Sequence, residues 1–327
     1  MACMADHVLT VPGAAASTAR SSAVALRTIN LSKRYGGRMA VHDLNLEVRQ
    51  GEIFGFLGPN GAGKTTTIRM ALGLIAPTAG SVEILGQDVF AERARILPRV
   101  GALVETPALY LYLSGRNNLR AVGSALGGVP AKRIDAVLDL VGLAGRQKDR
   151  VKTYSLGMKQ RLGVAMALLQ DPDVLILDEP ANGLDPAGIV EMRDLMHTLS
   201  AAGKTIFISS HLLAEVQQIC TRVAIINQGR LVTEASVAEL TQGQGEFRVT
   251  VEGAAQAVEL LHRQPWGAGA RLDGEHALIT RAPENSGRAL NLFLSQAGFV
   301  PEMLERPTQD LEQVFLNLTN SGSGDIK

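Results

Sequence analysis

The segment Gly58-Pro-Asn-Gly-Ala-Gly-Lys-Thr65 constrains the fold more than any other part of the chain. It follows an apolar run, Glu52-Ile-Phe-Gly-Phe-Leu57, and precedes a helical pattern from Thr65 to about Leu74. Glycines let the backbone curl around phosphate groups in conformations that a Cβ atom would obstruct. The loop amides and the positive end of the helix dipole then point at those phosphates. The succession of strand, loop and helix therefore predicts a nucleoside triphosphate site in an α/β fold.

Individual residues of this loop have separate expected roles. Lys64 should reach the β- and γ-phosphates, and the Thr65 hydroxyl should ligate Mg²⁺. The other expected nucleotide contacts belong to the loop or follow it directly: Gly58, Pro59, Asn60, Gly61, Ala62, Gly63 and Thr66.

A second signal is Asp173-Val-Leu-Ile-Leu-Asp-Glu-Pro180, an apolar strand that ends in two carboxylates. Asp178, beside the phosphate loop, can hold Mg²⁺ because hard cations favour oxygen ligands. Glu179 is placed to orient and polarise an attacking water as a general base.

Bulk properties exclude several classes of function. The 327 residues suffice for one large domain and a small one, and Lys+Arg and Asp+Glu number 32 each, so no overall field favours nucleic acid. The apolar stretches are too short for a spanning helix, so a membrane role requires a partner. Cys3 and Cys220 are distant from each other, which argues against a disulfide scaffold or a zinc site.

The hydrophobic patterns predict several units. Alternating strands over Leu26–Leu31 and Met39–Val48 indicate an antiparallel part, and short apolar runs between helical stretches indicate a buried parallel sheet. Those runs are Ile53–Leu57, Val174–Leu177, Thr205–Ile208 and Val223–Ile226. Helical patterns dominate from about 109 to 169, which predicts a helical insertion.

After about Gln242 the pattern changes to β-α-β-β-α, which resembles a small ferredoxin-like unit, with a last helix expected to begin at Thr308. The predicted domains are a disordered tail over 1–24, a nucleotide-binding domain over 25–242, an α+β domain over 243–319 and a flexible tail over 320–327.

Further motifs in a fixed order make the chain resemble the ATP-binding subunit of ATP-binding cassette (ABC) transporters. Tyr154-Ser-Leu-Gly-Met158 resembles the signature sequence of that family, Asn182-Gly-Leu-Asp185 its D-loop, and Ser209-Ser-His211 its switch histidine. The phosphate loop and Val174–Asp178 are its Walker A and Walker B motifs. The resemblance implies an α/β P-loop ATPase core that carries an antiparallel β subdomain.

The resemblance also implies a dimer that sandwiches two ATP molecules with Mg²⁺. Each ATP would lie between Walker A of one copy and Ser155 and Gly157 of another, either an identical chain or a similar one. Tyr35 matches the aromatic residue that stacks on adenine, and His211 would hydrogen-bond the γ-phosphate. Lys64, Glu179 and His211 are the expected catalytic residues.

Two positions depart from the family pattern. Glu105 stands where a glutamine usually ligates Mg²⁺, a variant that resembles transporters for bacitracin and lantibiotic self-protection. Leu156 replaces a signature glycine, and Met158 replaces the terminal glutamine of that motif.

The resemblance implies an exporter ATPase, linked to antibiotic resistance, that lies on the cytoplasmic face of the membrane and drives a separate integral-membrane permease. The alternative is a soluble ABC-type ATPase that acts on nucleic acid or ribosomes. The single cassette and the balanced charge argue against that alternative, and no nucleic-acid partner is expected. A P-loop small-molecule kinase would lack the signature, D-loop and switch histidine.

Overall fold

The computed structural model describes residues 23–241, 245–307 and 310–321. Of the tail predicted over 1–24, residues 1–22 lie outside the described residues, whereas Val24 already belongs to a strand. Of the tail predicted over 320–327, residues 322–327 lie outside them, whereas Asn320 and Ser321 belong to a helix. The domain boundary predicted at 242–243 and the helix start predicted at Thr308 also fall outside the described residues.

The described residues contain both strands and helices, in the following order along the chain. The strands are β1 (Val24–Tyr35), β2 (Arg38–Arg49), β3 (Ile53–Leu57), β4 (Ala79–Ile84), β5 (Gln87–Asp88), β6 (Val100–Leu103), β7 (Val174–Asp178), β8 (Thr205–Ser210), β9 (Arg222–Asn227), β10 (Arg230–Ser236), β11 (Glu246–Thr250), β12 (Arg271–Leu272), β13 (Ala277–Arg281) and β14 (Met303–Glu305). The helices are α1 (Lys64–Ala71), α2 (Arg93–Ile96), α3 (Gly115–Ala125), α4 (Ala131–Leu140), α5 (Leu156–Ala167), α6 (Pro186–Ala201), α7 (Leu213–Ile219), α8 (Val237–Thr241), α9 (Ala254–His262), α10 (Gly287–Gln296) and α11 (Leu311–Ser321).

The central sheet has the strand order β10-β9-β3-β8-β7-β6. The edge strand β10 is antiparallel to β9, and the other five strands are parallel to one another. Every residue of β3, β7 and β8 is buried, as expected of strands covered on both faces. This confirms the predicted parallel sheet. The sequence patterns missed β6 because the strand is short and contains Gly101, where a Cβ atom would lie 2.4 Å from the Ala167 carbonyl oxygen.

A second sheet, in the order β2-β1-β4-β5, forms the antiparallel part predicted from residues 25–48. Strands β4 and β5 were not predicted. Helices α3, α4 and α5 occupy the segment predicted to be a helical insertion, and their apolar faces join the core cluster that includes the parallel sheet.

Residues 246–305 form a third sheet, in the order β12-β13-β11-β14, with α9 and α10 against it. The observed order β-α-β-β-α-β adds β14 to the predicted pattern, because pairing with β11 makes a strand of Met303–Glu305. This unit has its own core, which includes Phe247, Leu261 and Leu290. The last helix, α11, packs instead against α7 and α8 of the parallel-sheet unit, a contact that the predicted division at 243–319 did not anticipate.

Candidate functional site

The phosphate loop connects β3 to α1 and requires glycine for two physical reasons. Gly61 and Gly63 have φ angles of 79° and 107°, in the left-handed region that glycine adopts without strain. A Cβ atom at Gly58 would lie 2.5 Å from the Ile226 carbonyl oxygen, and one at Gly63 would lie 2.6 Å from the Ala40 carbonyl oxygen. The curled backbone therefore depends on both conformation and space.

The Lys64 ammonium group lies inside this curl. Its side chain is only 7% exposed, and Nζ donates a hydrogen bond to the Gly58 carbonyl oxygen at 2.7 Å. The same atom is 3.5 Å from Oε1 of Glu179. The loop therefore holds a positive charge where the phosphates of a nucleotide would lie.

Asp178 ends β7 and is buried beside Thr65. The Thr65 hydroxyl donates to Asp178 Oδ2 at 3.0 Å, and the Ser209 hydroxyl donates to Oδ1 at 2.5 Å. Since β3, β8 and β7 are adjacent and parallel, their carboxyl ends bring these groups together. Two hard oxygen donors side by side are suited to Mg²⁺, with phosphate oxygens and water as its other ligands.

Ser209 is a site residue to which the sequence analysis assigned no role. Besides binding Asp178, its hydroxyl oxygen accepts a hydrogen bond from the Glu179 amide at 3.0 Å. Ser209 is fully buried at the end of the apolar strand β8 and lies opposite Asp178 in the strand register. A polar residue at the end of an apolar strand was the only signal for this role.

The Glu179 carboxylate lies between Lys64 and His211. Its Oε2 atom is 2.7 Å from His211 Nδ1 and accepts a hydrogen bond from the His211 amide at 3.3 Å. The structure thus brings together Lys64, Thr65, Asp178, Glu179 and His211 within one chain.

Two other predicted residues lie in different surroundings. Tyr35 ends β1 with 49% of its surface exposed, and Lys33 Nζ is 5.3 Å from its ring centroid. Glu105 follows β6, and its carboxylate accepts a hydrogen bond from the Arg69 guanidinium at 2.5 Å. The contact of Glu105 is therefore with α1 rather than with the Thr65–Asp178 pair. No sequence pattern pointed to Arg69.

The predicted signature residues form a group of their own. Ser155 caps α5, and its hydroxyl accepts a hydrogen bond from the Met158 amide at 3.2 Å. Leu156 is 46% exposed, and one of its methyl carbons lies 3.2 Å from the position of a Cβ atom at Gly183 in the predicted D-loop. The contacts of Ser155 and Leu156 are thus with α5 and the D-loop, whereas those of Lys64 and Thr65 are with Glu179 and Asp178.

Comparison with known proteins identifies this arrangement. Residues 41–182 match the ABC transporter family. The chain is 42% identical over 300 residues to the ABC transporter ATP-binding protein YhcH of Bacillus subtilis, covering 91% of this chain and 97% of YhcH. It is also 42% identical over 304 residues to the bacitracin transport ATP-binding protein BcrA of Bacillus licheniformis, covering 91% of this chain and 98% of BcrA.

Two further comparisons agree. The lantibiotic transport ATP-binding protein SrtF of Streptococcus pyogenes is 41% identical over 209 residues, which cover 64% of this chain and 90% of SrtF. A solved structure of the ATP-binding subunit of an ABC transporter is 30% identical with a TM-score of 0.59, covering 66% of this chain and 91% of the solved one. Because the identity extends over nearly the full length of two relatives, the chain belongs to the ATP-binding subunits of ABC transporters, a family that binds and hydrolyses ATP to power transport.

Proposed function

We propose that two copies of this chain, or this chain and a similar one, bind two ATP molecules between them and drive export of a peptide antibiotic or related drug through a separate membrane permease. The observation that carries this proposal is the 42% identity to a bacitracin transport ATP-binding protein over 91% of the chain. Glu105 supports the same substrate class, because a glutamate at this position is a feature that the chain shares with the bacitracin and lantibiotic transporters it resembles.

The residues at the carboxyl ends of β3, β7 and β8 support the assigned chemical roles. Lys64 and the loop amides would hold the β- and γ-phosphates, and Glu179 would orient a water for attack on the γ-phosphorus. His211 already contacts Glu179 through its ring and its amide, so a change at the γ-phosphate would alter both residues together.

The metal would be held by the Thr65 hydroxyl and Asp178, which already lie 3.0 Å apart. When bound, Mg²⁺ neutralises charge that develops on the phosphates. Glu105 would join this set through a change of side-chain conformation away from Arg69.

The dimer is proposed because, among the described residues, no hydrogen bond or ion pair joins Ser155 or Gly157 to Lys64, Thr65, Asp178 or Glu179. Ser155 begins α5, and the N-terminus of a helix favours anions, so a partner's phosphates would be stabilised there. We also assign ATP binding to residues 25–242 and an accessory role to residues 243–319. Within the part of the chain that the structure describes, no helix is long and apolar enough to cross a membrane. We place the subunit on the cytoplasmic face of the membrane through its permease.

A surface for the permease lies on the helical segment. The docking surface comprises the exposed side chains of Tyr110, Leu111 and Tyr112 and the cationic groups of Arg150 and Lys152. Tyr112 is 79% exposed, and Lys152 Nζ lies 6.0 Å from its ring centroid. Adjacent exposed aromatic and aliphatic groups are typical of protein contacts. The neighbouring cations favour an acidic segment of the partner.

The backbone beneath this surface is held firmly. Asn118 is fully buried, and its amide group donates to the carbonyl oxygens of Tyr110 and Ser114 at 3.0 Å each. Its Oδ1 atom accepts a hydrogen bond from the Tyr110 amide at 2.8 Å. The docking surface is therefore presented in a fixed conformation.

Affinity purification of the full-length chain from solubilised membranes tests this proposal. We expect a hydrophobic permease to accompany the wild-type chain. The double variant Leu111→Ala/Tyr112→Ala should retain about one tenth of it or less, since central apolar anchors contribute most of the binding energy. The matched control is Leu126→Ala/Leu140→Ala, which removes two apolar side chains that are 40% and 39% exposed elsewhere on the helical segment.

The control should recover as much permease as the wild type. Recovery of a ribosome or nucleic acid in place of a membrane protein would contradict the proposed function. Equal permease recovery by both double variants would refute the location of the docking surface but not the function.

A further inference from the structure

The last helix, α11, packs on the helix that follows the switch histidine. Helix α7 begins at Leu213, two residues after His211. Leu311 is fully buried in the same core cluster as Leu213 and Val216, and its amide donates to the Gln217 side-chain oxygen at 2.9 Å. The start of α11 is therefore fixed to α7 by both apolar and polar contacts.

The other end of α11 reaches the strand behind the phosphate loop. The Asn227 side chain, at the end of β9, donates to the Thr319 carbonyl oxygen at 3.4 Å. Two residues later, the Gly229 amide donates to the carbonyl oxygen of Ala62 in the phosphate loop at 2.9 Å. Between these two ends, Phe315 and Leu318 pack on the core cluster that contains α7.

Helix α7 has little intrinsic stability. It is seven residues long, and no side chain caps its N-terminus. A helix of this length depends on tertiary packing for its position. Besides α11, helix α7 contacts α6 and β3, and its Glu215 forms an ion pair with Arg193 of α6 at 2.7 Å. A displacement of α7 would move the adjoining His211 away from Glu179.

We propose that α11 is a positioning element for ATP hydrolysis, which holds α7 so that His211 keeps its hydrogen bond to Glu179. Helix α11 thereby controls the geometry at the γ-phosphate through α7. The inference rests on the roles proposed for Glu179 and His211, and it adds a dependence of those roles on the docking of the C-terminal segment.

The test compares variants of the full-length chain in a Cys3→Ser background. Phe315→Ala/Leu318→Ala removes the contacts that these two side chains make with the core cluster, and Leu316→Ala removes a leucine that is 49% exposed on the same helix. For the double variant we expect kcat for ATP hydrolysis to fall about tenfold or more with the KM for ATP unchanged, because the misplacement affects orientation rather than binding. Leu316→Ala should match the background, and Leu318→Met should retain its kcat because the volume is preserved.

A local probe separates this role from general destabilisation. Cys220, which follows α7, is 7% exposed, and burial raises the pKa of its thiol. A maleimide dye should therefore label Cys220 slowly in the background chain and at least about tenfold faster in the double variant, because labelling reports the opening of α7.

A milder pair keeps the test decisive if the double variant fails to fold. Gln217 is partly buried, and Gln217→Ala removes its hydrogen bond with the Leu311 amide. The control is Gln218→Ala, which changes the exposed residue next to it. We expect Gln217→Ala alone to lower kcat, by about threefold or more, and to raise the Cys220 labelling rate.

Equal kcat values within both pairs would overturn the inference, whatever the melting temperatures. So would a lowered kcat with unchanged Cys220 labelling. If the background chain hydrolyses no ATP, the proposed function fails, and the labelling rates still test whether α11 holds α7.

Discussion

At the scale of single residues, Glu179 has a backbone conformation that non-glycine residues seldom adopt. Its φ angle is 51°, and its amide donates to both the hydroxyl and the carbonyl oxygen of Ser209. Such conformations persist where the surrounding structure holds them, and they concentrate at functional sites. Here the conformation turns the carboxylate from the buried strand toward Lys64 and His211.

We predict that Glu179→Gln will bind ATP and lose most of its hydrolysis. The amide keeps the size of the side chain and can contact His211, but it cannot accept a proton from water, so the rate should fall about 100-fold or more. Fluorescent-ATP titration measures binding, and phosphate release measures turnover.

The matched control is Glu191→Gln, which neutralises an exposed carboxylate paired with Arg161 at 3.0 Å. It should leave both binding and turnover unchanged. Turnover of Glu179→Gln at the control rate would show that another group activates the water.

Sequence alone predicted the residues whose chemistry is encoded in a local pattern. Lys64, Thr65, Asp178 and Glu179 follow from a glycine-rich loop after a strand and from two acids at the end of another strand. Ser209 was not assigned because its role arises only when β8 lies beside β7, and serine at a strand end has many other uses.

At the scale of elements, the pair Arg69–Glu105 connects α1 to the loop after β6. Both side chains are substantially exposed, at 42% and 60%, so the ion pair contributes at most about 1 kcal/mol to the free energy of unfolding. The ion pair matters because of what it connects: α1 begins in the phosphate loop, and the loop after β6 leads to the docking surface.

For Glu105→Gln we expect hydrolysis to be retained, with an altered dependence on Mg²⁺ concentration. Loss of the carboxylate that is proposed to turn toward the metal should weaken Mg²⁺ binding, because carboxylates are stronger ligands of this hard cation than amides. Titration of ATPase rate with Mg²⁺ gives the midpoint. Arg69→Gln removes the same ion pair but keeps the carboxylate, so it should not share the weakened midpoint. An unchanged midpoint in Glu105→Gln would eliminate Glu105 as a ligand.

Strands with continuous apolar runs were predicted, whereas β4, β5, β6, β10 and β14 were not. The central residues of β3, β7, β8 and β9 are buried on both faces of the sheet, so each strand contains a continuous apolar run. Strands β5 and β14 are two and three residues long and exist because a neighbouring strand pairs with them. Such strands depend on tertiary pairing rather than on sequence preference.

At the scale of the whole molecule, the proposed ATP site has two halves, and no hydrogen bond or ion pair joins them within the described part of one chain. The phosphate loop, Asp178, Glu179 and His211 form one half, and Ser155 and Gly157 form the other. In a twofold-symmetric dimer each half would face its complement on the partner, so that two equivalent sites form.

The placement of α11 could not be predicted, because an apolar helix face in the sequence does not specify which unit covers it.

Complementation between two inactive variants tests this composite site most directly. Lys64→Ala removes the phosphate-binding ammonium. Ser155→Asp keeps the cap of α5 but places a carboxylate toward the partner's phosphates, since aspartate caps helices as well as serine does. Each variant alone should be inactive. An equal mixture should recover about a quarter of the wild-type ATPase rate, because half of the dimers are mixed and each of these has one intact site. Activity in the mixture no higher than that of the separate variants would contradict a site shared between two chains.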